Sequence, residues 1–148
     1  MPSQPDTTTT PVQNAARVAL GVALAASGVS HLTVGREAFK GQVPAWLPLD
    51  PETVVLQSGI VEIALGSALV LSPRQKALVG RLTAAFFVAV FPGNLAQWRS
   101  RSNAFGLDTD SKRFARLLFQ PPFIAWAIWS TGACARKLRS RGTGTANL

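Results

Sequence analysis

Five polar side chains stand inside otherwise apolar stretches of this 148-residue chain, and they are its best candidates for chemistry. They are His31, Gln57, Glu62, Asn94 and Gln120. A carboxyl group and an imidazole can take up and release protons, and imidazole does so near neutral pH. Side-chain amides both donate and accept hydrogen bonds. This set is typical of a site that handles protons or binds a polar group.

The elements that must position these side chains are four apolar stretches, over residues 15–33, 53–71, 77–95 and 114–134. Hydrophobic residues make up 47% of the chain and charged residues only 15%, against about a quarter in soluble domains. Each stretch has about the 20 residues that a membrane-crossing helix needs, and each is apolar nearly all round. We therefore expect an all-α fold, a bundle of four transmembrane helices with short loops, rather than a soluble bundle.

The two ends of the chain are polar and differ from the predicted membrane domain, residues 15–135. Residues 1–14 are rich in Thr and Pro and predict a disordered tail. Residues 136–148 predict a basic, disordered C-terminal tail. The first apolar stretch contains a segment like a signal-peptide cleavage site, Ala23 to Ser27, but it continues past that segment, so we expect a retained helix.

Basic residues give the predicted orientation. The cluster "ARKLRSR" follows the fourth stretch directly, and the short turn "SPRQK" joins the second and third stretches. By the positive-inside rule this pattern favours a multi-pass protein with both termini in the cytoplasm. The net charge of +8 fits basic flanks that face anionic lipid headgroups, so the lipid bilayer, and no nucleic acid, is the expected partner.

On scales derived from membrane insertion, a charged side chain at the centre of a bilayer costs about 2.5–3.5 kcal/mol. Glu62 can avoid that cost through protonation, a partner in the bundle or a wet cavity. By helical rise, the five polar residues gather in the outer, extracytoplasmic half of the predicted bundle. Two interpretations stay open, a polar ligand or proton site and interhelical hydrogen bonds that hold the helices together. A metal site is not expected, because His31 and Glu62 supply too few strong ligands.

Small residues and prolines predict how the helices pack. Small side chains recur along the first two stretches, which predicts a close antiparallel pair; they are Gly21, Ala25, Gly28, Ser58, Gly59, Gly66 and Ser67. Pro92 and the pair Pro121–Pro122 fall inside the third and fourth stretches and predict kinks beside the polar residues.

The segment "VPAWLPLDP" predicts a non-helical loop, because each of its prolines breaks a helix. The loop contains two rigid prolines, Pro44 and Pro48, and between them the amphipathic indole ring of Trp46. Indole rings favour the membrane interface. We expect an interfacial loop that covers the bundle as a lid.

The segments "GVSHL", "VPAWLP", "LQSGIVEIALGSALVL", "AVFPGNL" and "FQPPFIAWA" occur in this order. In this respect the chain resembles the DoxX-like family of small bacterial membrane proteins, from Arg17 to Trp129. The resemblance implies a four-helix integral protein of the cytoplasmic (inner) membrane. It also implies a link to redox chemistry, since the family includes a subunit of a thiosulfate–quinone oxidoreductase and proteins of oxidative-stress defence.

The favoured function is an accessory subunit of a membrane redox or oxidative-stress system, with a polar site shaped by Glu62 and His31 and without catalysis of its own. The expected partner is a membrane or soluble redox protein, and a homo-oligomer is a further option. The sequence has no haem-attachment, iron–sulfur or dinucleotide motif, and Cys134 is its one cysteine, so a quinone would enter through a partner. The alternatives are a quinone- or sulfur-linked oxidoreductase subunit and a small-solute transporter.

Overall fold

The computed structural model describes residues 8–134, and every regular element in that range is helical. The six α-helices are α1 (Pro11–Leu32), α2 (Arg36–Lys40), α3 (Pro51–Leu71), α4 (Lys76–Arg99), α5 (Asp110–Leu118) and α6 (Gln120–Ser130). Short 3₁₀ turns at Pro73–Gln75 and Ala104–Gly106 lie before α4 and α5. The predicted basic tail, residues 136–148, lies outside the described residues.

Helix α1 begins at Pro11, four residues before the start that its apolar stretch predicts. Thr10 forms a capping box, in which its hydroxyl accepts from the Gln13 backbone N–H at 3.2 Å and its own N–H donates to Gln13 Oε1 at 2.9 Å. Proline at the first helical position needs no hydrogen-bond partner for its nitrogen. The polar residues 11–14, predicted as tail, are therefore helical.

Helices α1 and α3 form the tight antiparallel pair that their small residues predict. Gly21 faces Gly66 and Gly28 faces Gly59, so the order along one helix is reversed along the other. A Cβ atom on Gly28 would lie 2.5 Å from the Gly59 carbonyl oxygen, and one on Gly21 would lie 2.7 Å from the Gly66 carbonyl oxygen. The two backbones approach so closely that only glycine fits at these crossings.

Helix α6 packs against α4 and α1 and completes the core. Leu20, Leu69, Phe87 and Ala127 are among the buried residues of one cluster that joins all four of the longer elements. The Trp126 indole N–H donates to the Ala16 carbonyl at 2.9 Å and ties α6 to α1. Helix α4 runs on to Arg99, past the predicted end of its apolar stretch, and contains Pro92 without a break in the helix.

The fourth apolar stretch is interrupted at Phe119, where α5 ends and α6 begins. Pro121 and Pro122 lack the N–H groups that would bond the Leu117 and Leu118 carbonyls in a continuous helix. Three helical segments in the described range are long and apolar enough to cross a membrane, namely Pro11–Leu32, Pro51–Leu71 and Pro73–Arg99. The shorter α5 and α6 do not reach that length individually, in contrast to the single fourth helix that the sequence predicts.

The segment between α1 and α3 contains a short helix, α2, which the sequence pattern did not predict. From residue 43 to Asp50 the backbone is non-helical, as its prolines predict. This loop packs closely on α4, where a Cβ on Gly93 would lie 3.0 Å from the Gln42 carbonyl oxygen. The loop is thereby placed beside the polar residues of the bundle.

Candidate functional site

A cavity of about 700 Å³ lies between α1, α3, α4 and the start of α6. Its volume falls within the range of about 300–1,000 Å³ that holds small-molecule ligands in proteins. Most of its wall is apolar, and its polar side chains are concentrated in two groups. We call these groups the Glu62 end (Ser27, His31, Ser58 and Glu62) and the Arg116 end (Gln42, Asn94, Arg116 and Gln120).

At the Glu62 end, two buried polar atoms face each other without completing a hydrogen bond. His31 Nε2 lies 3.8 Å from Glu62 Oε2, which is too long for a direct bond. Neither atom has a hydrogen-bond partner among residues 8–134. Buried polar atoms in proteins nearly always have a partner, so this pair has the character of a site that a bound molecule completes.

The orientation of the His31 ring follows from its other nitrogen. The Ser58 hydroxyl donates to the Val55 carbonyl at 2.9 Å, and its oxygen lies 3.0 Å from His31 Nδ1. Since the hydroxyl hydrogen is used, the serine oxygen accepts from Nδ1–H. Neutral imidazole carries one hydrogen, so Nε2 presents a lone pair toward Glu62. The Phe39 ring packs edge-on against His31 and holds it from the other side.

Charged residues outside the bundle hold Phe39 in that place. Lys40 Nζ lies 2.8 Å from Glu37 Oε1 and 3.3 Å from Glu52 Oε2, so it links α2 to the start of α3. The hydrogen bond to Glu37 is the main cause that raises the pKa of Lys40, and Glu52 adds to it. Arg36 also contacts Glu52, at 3.3 Å. These pairs fix the short helix that carries Phe39.

At the Arg116 end, side-chain amides form a connected group. Asn94 Nδ2 donates to Gln120 Oε1 at 2.9 Å, and Gln120 Nε2 donates to the Phe87 carbonyl. Arg116 Nε donates to Asn94 Oδ1 at 3.3 Å. The Gln42 amide, with its oxygen turned toward the guanidinium, accepts from Arg116 Nη2 at 2.8 Å. This group joins the loop before α3 to α4, α5 and α6.

The structure brings together four of the five polar residues that the sequence singled out. His31, Glu62, Asn94 and Gln120 all line the cavity. Gln57 does not, because it is exposed on another face of α3. Within the predicted interfacial loop, Pro44 is buried and Trp46 is 71% exposed, and both line the cavity, whereas Pro48 is exposed and does not.

Four polar residues of the cavity were not predicted as part of the site, namely Ser27, Ser58, Gln42 and Arg116. Ser58 is four residues before Glu62 and so shares its helix face, a signal that the sequence contains. Arg116 likewise is four residues before Gln120. Gln42 lies in a loop, where no periodicity predicts the direction of a side chain.

The cavity supplies hydrogen bonds and proton acceptors rather than metal ligands. Among residues 8–134, no group of three or more His, Cys, Asp or Glu side chains is placed to hold a metal ion. The described Cys134 is free and exposed at the end of the α6 region, away from the cavity lining. A lone pair on His31 Nε2, a carboxyl on Glu62 and the Arg116 guanidinium are the groups that a ligand would meet.

The described residues form an all-helical fold, and its long apolar helices are those of a membrane protein by length and composition. A family model described as "Domain of unknown function (DUF8561)" matches residues 20–131, and the chain belongs to that family. The matched range begins in α1 and ends just after α6, so it includes both ends of the cavity. Searches of the curated proteins and of the solved structures found no match.

Proposed function

We propose that this protein is the ligand-binding subunit of a membrane redox or oxidative-stress system, without catalysis of its own, and that its cavity takes the headgroup of a quinone. We further propose kinship with the DoxX-like proteins. In this proposal the protein lies in the cytoplasmic membrane with both termini in the cytoplasm, and α5 and α6 together make a fourth crossing. A partner protein would supply the electrons.

The observation that carries the proposal is the unpartnered pair His31 Nε2 and Glu62 Oε2 inside the cavity. An oxygen atom placed between two such groups, about 2.8 Å from each, can donate to one and accept from the other. A quinol hydroxyl does both, and a quinone carbonyl accepts from a protonated carboxyl group. The same two side chains therefore suit both states of a quinone.

The walls of the cavity support an apolar ligand body. Its apolar lining includes Leu24, Val55, Phe86 and Val90. Small-molecule sites are mostly apolar with a few polar groups that fix orientation. Trp46 and Phe119 also line the cavity and are 71% and 60% exposed, so the cavity reaches the surface of the protein beside them. A molecule dissolved in the bilayer could enter there with its tail outside.

The test is a binding titration with decylubiquinone on the purified protein in lipid nanodiscs. Wild type should bind saturably, and Glu62→Gln should weaken binding because the carboxyl can no longer exchange a proton with the ligand oxygen. Gln57→Ala is the matched control, since Gln57 lies on α3 outside the cavity and should leave binding unchanged. Absence of binding by wild type, or equal binding by Glu62→Gln, would refute the quinone assignment.

The partner is tested separately. The protein would be purified from its native membrane in mild detergent, and the proteins that accompany it identified by mass spectrometry. A soluble or membrane oxidoreductase in stoichiometric amount is the expected result. A homo-oligomer with no second protein would contradict the accessory role while leaving the ligand site untouched.

A further inference from the structure

Arg116 is a cation in the cavity wall whose charge is not balanced by a neighbouring carboxylate. It is half-buried, and its hydrogen bonds go to the neutral amide oxygens of Asn94 and Gln42. No Asp or Glu among residues 8–134 forms an ion pair with it, and the hydrogen bonds that it makes in that range use Nε and Nη2 rather than Nη1. Glu62, the one acidic residue of the cavity lining, makes its contact with His31 instead.

One face of the Arg116 guanidinium is also covered by an aromatic ring. Its carbon Cζ lies 5.0 Å from the centre of the Phe105 ring, a distance typical of a cation–π contact. Phe105 in turn packs against Phe39, the ring that supports His31. The guanidinium is thus oriented by Phe105, Asn94 and Gln42, while its Nη1 group is left for a ligand.

Several basic side chains of the described range are balanced by a carboxylate, which Arg116 lacks. Others, such as Arg17, Arg81 and Arg99, also lack one, but of the Lys and Arg residues among 8–134 Arg116 is the one that lines the cavity. Arg36, Lys40, Lys112 and Arg113 each pair with a carboxylate. Arg17, which is buried, donates to the Leu69 carbonyl at the end of α3. Removing a cation from water is costly unless a counter-charge and hydrogen bonds replace the water. Arg116 has the hydrogen bonds but lacks the counter-charge.

The wall next to Arg116 is apolar and aromatic. Phe119 lies one helical turn after it, and Phe87, Val90 and Phe123 also line the cavity. A ligand that satisfies this end needs an anionic group followed directly by an apolar body. The planar fork of arginine matches the two oxygens of a carboxylate.

We propose that the Arg116 end of the cavity is an anion subsite that takes the carboxylate of a single-chain amphipathic molecule, with its chain along the aromatic wall. The inference rests on the proposed function only in that the cavity admits an amphipathic ligand. It assigns a second ligand class to the cavity, which would compete with a quinone for the apolar walls. Asn94, Gln42 and Phe105 act as positioning residues for the guanidinium.

The experiment compares laurate with dodecanol, which has the same chain and no charge, on the full-length protein in phosphatidylcholine nanodiscs. Arg116→Gln should weaken laurate binding about tenfold or more, in line with the loss of a charge-assisted hydrogen bond. It should leave dodecanol binding unchanged, which also shows that the cavity is intact. The control Arg99→Gln removes a charge from the exposed end of α4, outside the cavity, and should bind laurate like wild type.

Three results would overturn the inference. One is equal laurate binding by wild type and Arg116→Gln, and another is an equal loss of laurate and dodecanol in that variant. The third is displacement of laurate by phosphatidylglycerol through Arg116, which would assign the subsite to a lipid headgroup. In each of these cases the difference in decylubiquinone binding between wild type and Glu62→Gln should remain. Failure of the anion subsite is therefore distinguishable from failure of the quinone site.

Discussion

His31 Nε2 and Glu62 Oε2 lie 3.8 Å apart inside the bundle, each buried and each without a hydrogen-bond partner in the described residues. The pair connects α1 to α3 at the point where these helices are already in backbone contact through Gly28 and Gly59. The close helix crossing therefore fixes the distance between the two groups. Because both side chains line a cavity, a polar group bound there is the simplest source of the hydrogen bonds that these two atoms lack.

Removal of the Ser58 hydroxyl should weaken quinone binding without loss of fold. Ser58 accepts from His31 Nδ1–H and so keeps the Nε2 lone pair directed at Glu62. We expect Ser58→Ala to raise the Kd for decylubiquinone about fivefold, the value of one hydrogen bond. Gln57→Ala, one position away on the same helix and outside the cavity, is the control. An unchanged Kd in Ser58→Ala would mean that the orientation of His31 does not matter for binding.

The crossing of α1 and α3 should tolerate no side chain. A Cβ on Gly59 would lie 2.7 Å from the His31 Cβ and 2.9 Å from the Gly28 carbonyl oxygen. We expect Gly59→Leu and Gly66→Leu each to destabilise the protein by about 1–3 kcal/mol through overpacking, seen as a lower Tm in detergent. Ala64→Leu, at an exposed position of the same helix, should leave Tm nearly unchanged. Equal Tm values for all three variants would contradict the packing described.

The start of α3 should show a pH-dependent cap. Asp50 accepts from the Thr53 backbone N–H at 2.9 Å and from its hydroxyl at 3.0 Å, and these bonds lower the pKa of Asp50. A lowered folded-state pKa means that the cap stabilises the protein above the unfolded pKa of about 3.9 and is lost as pH falls through the lower folded value. Asp50→Ala should thus lower Tm at pH 7.

The pH dependence of that effect has its own control. The Tm difference between wild type and Asp50→Ala should shrink as the pH falls below about 4, because protonated Asp50 is a weaker acceptor. Asn is also a good N-cap residue and carries no charge. Asp50→Asn should therefore remain close to wild type at pH 7 and show no such pH dependence. A constant Tm difference across this pH range would show that the carboxylate charge has no part in the cap.

The proposed topology can be read from two reporter fusions. If α5 and α6 cross the membrane together, a reporter at the C-terminus should be cytoplasmic and one inserted after Gly106 should be extracytoplasmic. Gly106 lies in an exposed turn with open space around it, so an insertion there should not disturb packing. Opposite locations for the two reporters are expected. The same side for both would mean that the fourth segment does not cross.

The sequence predicted the helices well where an apolar run alone determines the element. Helix α3 ends at Leu71, as predicted, and begins within two residues of the predicted start. The pairing of α1 with α3 followed from glycines at matching spacing. The fourth stretch, predicted as one helix with a kink at Pro121 and Pro122, is divided into α5 and α6, because these prolines remove two backbone hydrogen bonds.

The sequence predicted the depth of the site residues within the bundle but not the direction in which each side chain points. Helical rise placed His31, Gln57 and Glu62 in the same half of the bundle, and of these three Gln57 does not line the cavity. Successive residues of a helix point about 100° apart at 3.6 residues per turn, so Gln57 cannot share the face of Ser58 and Glu62. Gln42 enters the site through the loop that folds over α4. That contact depends on tertiary packing, and no periodicity in the sequence encodes it.

The central claim is that the cavity holds an amphipathic ligand, and the most direct measurement is mass spectrometry of small molecules extracted from the natively purified protein. The matched variants are Ser27→Phe, which fills the cavity, and Ala26→Phe, which adds the same ring at an exposed position of α1 outside it. We expect a quinone or a single-chain carboxylate in near-stoichiometric amount from wild type and Ala26→Phe, and its loss from Ser27→Phe. Equal recovery from all three proteins, or bulk lipid alone from wild type, would contradict a ligand-binding cavity.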